Sequence, residues 1–61
     1  MKVGDLICHR RKAAREEKGL GIIINMEPEP ELKDVLLVYW FKEAKEQQVW
    51  KQVLRYIKEN D

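Results

Sequence analysis

Apolar residues gather in a few places along the chain, and the densest is Val35-Leu36-Leu37-Val38-Tyr39-Trp40-Phe41. An acidic, proline-bearing stretch precedes this run and a charged one follows it. Branched and aromatic side chains in so short a run predict a strand buried on both faces, or nearly so, rather than a helix of two turns. The run is therefore expected to be the central strand, about Asp34 to Phe41. Met1 to His9 predicts a first strand with Val3, Leu6, Ile7 and Cys8 as its apolar members and a bend at Gly4-Asp5. Ile22-Ile23-Ile24 predicts a second, because consecutive β-branched residues are stiff at χ1 and suit a pleated sheet. The glycines of Gly19-Leu20-Gly21 supply the corner that leads into it.

The polar segments complete the outline. Arg10 to Lys18 has two alanines and salt-pairing charges but no apolar stripe, and is expected to be an exposed loop with partial helical character. Asn25 to Lys33 carries Pro28 and Pro30 at alternate positions and cannot be regular structure. The C-terminal stretch supports two readings. Val49, Trp50, Val53, Leu54 and Ile57 fall at helical spacing, so Glu43 to Lys58 can be one amphipathic helix closing a three-stranded sheet. Alternatively the stretch divides into a strand at Gln47 to Lys51, a 3₁₀ turn over Gln52 to Leu54 and a last strand at Arg55 to Lys58. On periodicity alone the helix has the advantage.

Length adds an energetic constraint. Sixty-one residues make a single domain, residues 1–61, and a core of this size supplies only about 3–5 kcal/mol, so natural domains of this length usually add a disulfide, a metal or a partner. With one cysteine, Cys8, and one histidine, His9, there is neither an internal disulfide nor a recognisable zinc set. As neighbours on a strand these two side chains point to opposite faces and cannot readily share an ion. Oligomerisation or docking on a larger protein is the expected support. The balance of 12 basic and 11 acidic residues gives a formal charge of +1 and no global field for nucleic acid or an anionic membrane. No signal-peptide pattern and no apolar stretch of about 18 residues occurs.

Catalysis finds no support in the sequence. Cys8 lacks a second histidine as base, and Glu27, Glu29 and Glu31 sit in a proline-spaced loop with no burial to perturb them. No enzyme activity and no cofactor is expected. Two binding surfaces stand out. Val35, Leu37, Tyr39 and Phe41 occupy the alternate face of the third strand from Leu36, Val38 and Trp40, so some of them must meet a partner or be covered. Arg10, Arg11, Lys12, Arg15 and Lys18 form a basic segment able to contact phosphates beside a tyrosine. A groove between Trp40 and Trp50 for a peptide is a third option.

Taken in order, Lys2-Val3-Gly4-Asp5-Leu6-Ile7, Gly19-Leu20-Gly21-Ile22-Ile23, Val38-Tyr39-Trp40, Trp50 and Leu54-Arg55-Tyr56-Ile57 resemble the small SH3-like β-barrel proteins of tailed bacteriophages, across nearly the full chain. The resemblance implies an all-β, five-stranded SH3-like barrel in place of the sheet-plus-helix alternative. Inward residues would then come from Val3, Leu6, Cys8, Ile22, Ile24, Leu36, Val38, Trp40, Val49, Leu54 and Ile57. It also implies a non-enzymatic virion or assembly component that binds another phage structural protein or itself, located in the virion or the host cytoplasm. A nucleic-acid-binding module of the KOW or Tudor type and a peptide-binding adaptor are the alternatives. The chain departs from the pattern at Glu43-Ala44-Lys45-Glu46, where these proteins usually carry Asp-Gly or a similar pair. Without glycine a two-residue primed turn is disfavoured and a longer hairpin loop is expected.

Overall fold

Five antiparallel strands form one sheet, seen in a computed structural model that describes residues 2–57. In chain order they are β1 (Leu6–His9), a helix α1 (Lys12–Lys18), β2 (Gly21–Asn25), β3 (Val35–Trp40), β4 (Lys45–Trp50), a 3₁₀ turn (Lys51–Val53) and β5 (Leu54–Tyr56). The order across the sheet is β4-β3-β2-β1-β5. The run from Val35 is an interior strand flanked by β2 and β4, as its composition predicts, but β2 and not this run holds the central position expected for it. The sheet is open, with β4 and β5 as its two edges. Met1 and Lys58, the expected outer limits of the first and last strands, lie outside the described residues.

The C-terminal stretch is two strands joined by a 3₁₀ turn, and the amphipathic helix over Glu43 to Lys58 is not formed across the described residues. The helical spacing of Val49, Val53 and Leu54 arises because the 3₁₀ turn breaks the strand period, so residues from three different elements reach one core. Backbone hydrogen bonds fix that turn from both sides: Lys51 N–H donates to Asp34 O at 2.6 Å, and Arg10 N–H donates to Val53 O at 2.8 Å. The turn thereby links the start of β3 to the end of β1, spanning the gap between the sheet's two edges.

Arg10 to Lys18 is more ordered than an exposed loop. Its alanines and strong helix formers make the two turns of α1, with no buried residue, and Gly19 ends it at φ 71° with its N–H donating to Arg15 O. Polar anchors substitute for an apolar stripe. Arg15 donates from Nε to His9 O and from Nη2 to Arg10 O, while Lys42 Nζ donates to Glu16 O at 2.9 Å.

The core consists of Ile7, Ile23, Leu36, Val38, Trp40 and Leu54, with Met26, Val49 and Val53 packed against it. Leu36, Val38, Trp40 and Leu54 were expected to face inward; the first two strands present the opposite face from that expected. Ile7 and Ile23 are fully buried, whereas Val3, Leu6 and Ile24 are exposed and Ile22 is half-buried. The reason lies at Gly21, which stands opposite Ile7 on one side and Trp40 on the other. Only a residue without a side chain leaves room there for the indole, and Ile23, two positions on, must then share its face. Cys8 is buried and unpaired, outside the main cluster and opposite Arg55, and Ile57 is half-buried.

The β3–β4 connection is the longer loop expected in the absence of glycine. Trp40 pairs with Lys45, and the intervening Phe41 to Ala44 close with Ala44 N–H donating to Trp40 O at 2.8 Å. Ala44 adopts φ 55°, the left-handed region that penalises a Cβ. Replacing it with glycine is expected to stabilise the domain by about 0.5–1 kcal/mol, raising the thermal midpoint by about 2–8 °C. A calorimetric scan of Ala44→Gly beside the parent checks this.

Candidate functional site

The pairing register defines a sheet face opposite the core. Residues directly across a ladder share a face, so Leu6, Ile22, Tyr39 and Glu46 form one row over β1 to β4. Asn25, Leu37 and Gln48 form the next row, and Val35 stands opposite Trp50. A bulge between Ile23 and Asn25 shifts the register and leaves Ile24 without a partner on β3. The Phe41 ring packs edge-on against Tyr39, with centroids 5.6 Å apart at 71°. Leu6, Ile22 and Tyr39 thus make one apolar row across the interior strands, with Leu37 and Phe41 on either side of Tyr39 along the chain, a pattern that ordinarily marks contact with another surface.

Of the residues assigned to this face from sequence, Val35 is buried, Leu37 and Tyr39 are half-buried, and Phe41 remains 48% exposed. The structure adds Leu6, 40% exposed, and Ile24, 37% exposed. Both were expected to point inward; the phase of β1 and β2, set by Gly21, turns them out. The sequence carries that signal only through the glycine's pairing with Trp40, which becomes visible once the register is known.

The two tryptophans do not line a common groove. Trp40 is fully buried on the core side, and Trp50, 53% exposed, pairs with Val35 on the opposite face. Trp40 Nε1–H donates to Gln47 Oε1 at 3.0 Å, and the same oxygen accepts Lys18 Nζ at 3.3 Å. Lys18 also lies 3.6 Å from Glu43 Oε1 and 5.9 Å from the centroid of the Trp40 ring. Lys18 is therefore committed to holding α1 against the β3–β4 hairpin and is remote in role from phosphate binding.

The remaining basic residues separate further. Arg15 is half-buried and bonded to two backbone carbonyls, and Arg10 Nη1 donates to Gln52 O at 3.2 Å. Arg11 and Lys12 are exposed. His9, Arg10 and Arg11 meet Gln52 and Val53 around a cleft of about 300 Å³. Among the described residues no group of three or more histidine, cysteine, aspartate or glutamate side chains is placed to hold a metal ion, and no helix is long and apolar enough to cross a membrane. Compared with family models, with curated proteins and with solved structures, the chain matches none.

Proposed function

We propose that the chain is a non-enzymatic assembly module that docks through the outer face of its sheet onto a larger structural protein of a tailed-phage particle. The observation that carries this reading is the continuous apolar surface of Leu6, Ile22, Leu37, Tyr39 and Phe41. Such a face in a domain with so small a core gains more from burial against a partner than from solvent exposure. Burial of apolar area stabilises by about 25 cal/mol per Å², so even a modest interface rivals the core's own contribution. The resemblance to phage SH3-like proteins supplies the setting, the virion or the host cytoplasm in which it is assembled.

The SH3-like reading of the fold belongs to the same proposal. Its support is the return of β5 to β1, which brings the last strand beside the first, together with the 3₁₀ turn that carries the chain from one sheet edge to the other. A second copy of the chain is the alternative occupant of the face.

The test is recovery of the chain with purified particles. A tagged version expressed during infection is expected in density-gradient-purified virions, at fixed stoichiometry. The variant Leu37→Ser/Tyr39→Ser/Phe41→Ser, shown to be folded by circular dichroism, is expected to be depleted from them at least ten-fold. Wild-type chain sedimenting as a free monomer and absent from particles would falsify the assignment.

A further inference from the structure

The cleft between the end of β1 and the 3₁₀ turn has a chemistry of its own. Its walls are His9, Arg10 and Arg11 on one side and Gln52 and Val53 on the other. Two bonds from Arg10 join them: the backbone N–H to Val53 O and Nη1 to Gln52 O. Behind this wall Arg15 donates to the carbonyls of His9 and Arg10, which fixes both the guanidinium and the backbone that presents the neighbouring side chains. A guanidinium has five N–H donors in a rigid fork. Arg10 has committed one and Arg15 two, so both retain donors. Arg11 and Lys12 donate to the protein through no side-chain atom among the described residues, and His9 Nδ1 accepts the Arg11 backbone N–H at 3.3 Å. In the neutral ring the proton therefore sits on Nε2 and adds one more donor.

Among the described residues these positive groups have no carboxylate partner. The ion pair among the described residues joins Lys18 to Glu43, on the other end of α1. Among the described residues the acid tied to the cleft wall is Asp34, whose Oδ2 accepts Gln52 Nε2 at 3.4 Å while the Gln52 carbonyl is turned to Arg10. Cationic donors left unmatched around a concavity suit a ligand with several negatively charged oxygens, and a planar guanidinium matches phosphate geometry bidentately.

We infer that this cleft binds a phosphate group carried on a nucleic-acid backbone, with Arg10 and Arg11 on the phosphate in the cleft and Lys12 on the next one along the strand. A polymeric ligand is favoured over a free anion because the basic surface continues past the cleft onto the exposed first turn of α1, where a single small anion has no use for it. The inference concerns a different surface from the sheet face, and its failure leaves the docking proposal standing.

The experiment is a fluorescence-anisotropy titration of the full chain with a labelled single-stranded oligothymidylate, with backbone amide spectra recorded alongside. Binding is expected with a slope of log K on log salt of about −1.4, the value for about two neutralised phosphates on a single strand. Amides of Arg10, Arg11, Gln52 and Val53 should shift on saturation. Arg11→Gln/Lys12→Gln, which removes no side-chain bond among the described residues, is expected to weaken binding at least five-fold and to flatten the slope by about 0.7, the share of the phosphate that Lys12 holds. Lys33→Gln/Lys45→Gln, with the same net charge, should bind within two-fold of the parent. Arg10→Gln extends the series, and a native amide spectrum certifies its fold. Four results overturn the inference: no binding at 10⁻⁴ M oligonucleotide in low salt, equal losses in both double variants, saturation by inorganic phosphate with no preference for the oligonucleotide, or binding to phosphatidylserine vesicles in its place.

Discussion

Gly21→Ala is expected to remove most of the domain's stability. A Cβ at this position would lie 2.8 Å from Val38 Cγ1 and 2.9 Å from Trp40 Cε3, closer than carbon atoms pack. Neither neighbour can yield easily. Val38 is a fully buried β-branched side chain, and the Trp40 ring is fully buried and held by its bond to Gln47. Overpacking of this kind costs about 3 kcal/mol when the surroundings are rigid, against the roughly 3–5 kcal/mol that a core of this size supplies. The thermal midpoint should fall by about 12–24 °C. Alanine's better strand propensity works in the opposite direction but is worth only a few tenths of a kcal/mol. Urea denaturation decides, and a loss below about 1 kcal/mol would mean that Trp40 is not seated against Gly21 as described.

Gln47→Leu should be the next most damaging change. Its Oε1 is the acceptor for both Trp40 Nε1–H and Lys18 Nζ, and leucine of similar size would leave the buried indole N–H facing hydrocarbon. An unsatisfied buried donor costs about 1–3 kcal/mol. The loss of the Lys18 bond adds little because that ammonium reaches solvent and retains Glu43. Gln47→Glu separates the two contributions, since it keeps an acceptor at the same reach. It is expected to remain near the parent's stability, whereas the leucine variant falls. Hydrogen exchange of the Trp40 indole proton gives a second readout, accelerating in Gln47→Leu and not in Gln47→Glu. Equal stability of all three proteins would sink the account.

Val35 to Phe41 could be read because a strand in the sheet interior must be apolar at most positions, and the inward set Leu36, Val38 and Trp40 follows from alternation once the largest ring is placed inside. The same logic failed for Leu6-Ile7-Cys8 and Ile22-Ile23-Ile24. Both are apolar on either face, so alternation has no phase in them, and a one-residue error exchanges core for surface. The phase was carried by Gly21, read from sequence as a corner residue rather than as space for an indole. Periodicity misled at Val49 to Ile57 because one 3₁₀ turn between two short strands imitates a helical stripe. Helix α1 was only partly legible, since its anchors are arginine and lysine bonds to distant carbonyls and leave no hydrophobic pattern. Of the candidate surfaces, the tyrosine and phenylalanine of the outer face were legible in outline. Leu6 and Ile24 were not, for the same reason of phase. The pairing of the basic segment with Gln52 and Val53 required the fold.

The pairing of β1 with β5 also bears on the order of events during folding. Strands β2, β3 and β4 follow one another through short connections, and loop closure of that kind is fast. The ladder that joins His9 to Leu54 links residues near opposite ends of the chain, and its closure entropy must be met before its bonds form. The meander should therefore assemble first and the terminal ladder last. The walls of the basic cleft, His9 to Arg11 and Gln52 to Val53, come together only in that final step. A ligand lying across them would act as a clasp on the slowest-forming and first-opening part of the molecule, lengthening the lifetime of the native state with little effect on the rate at which it is reached.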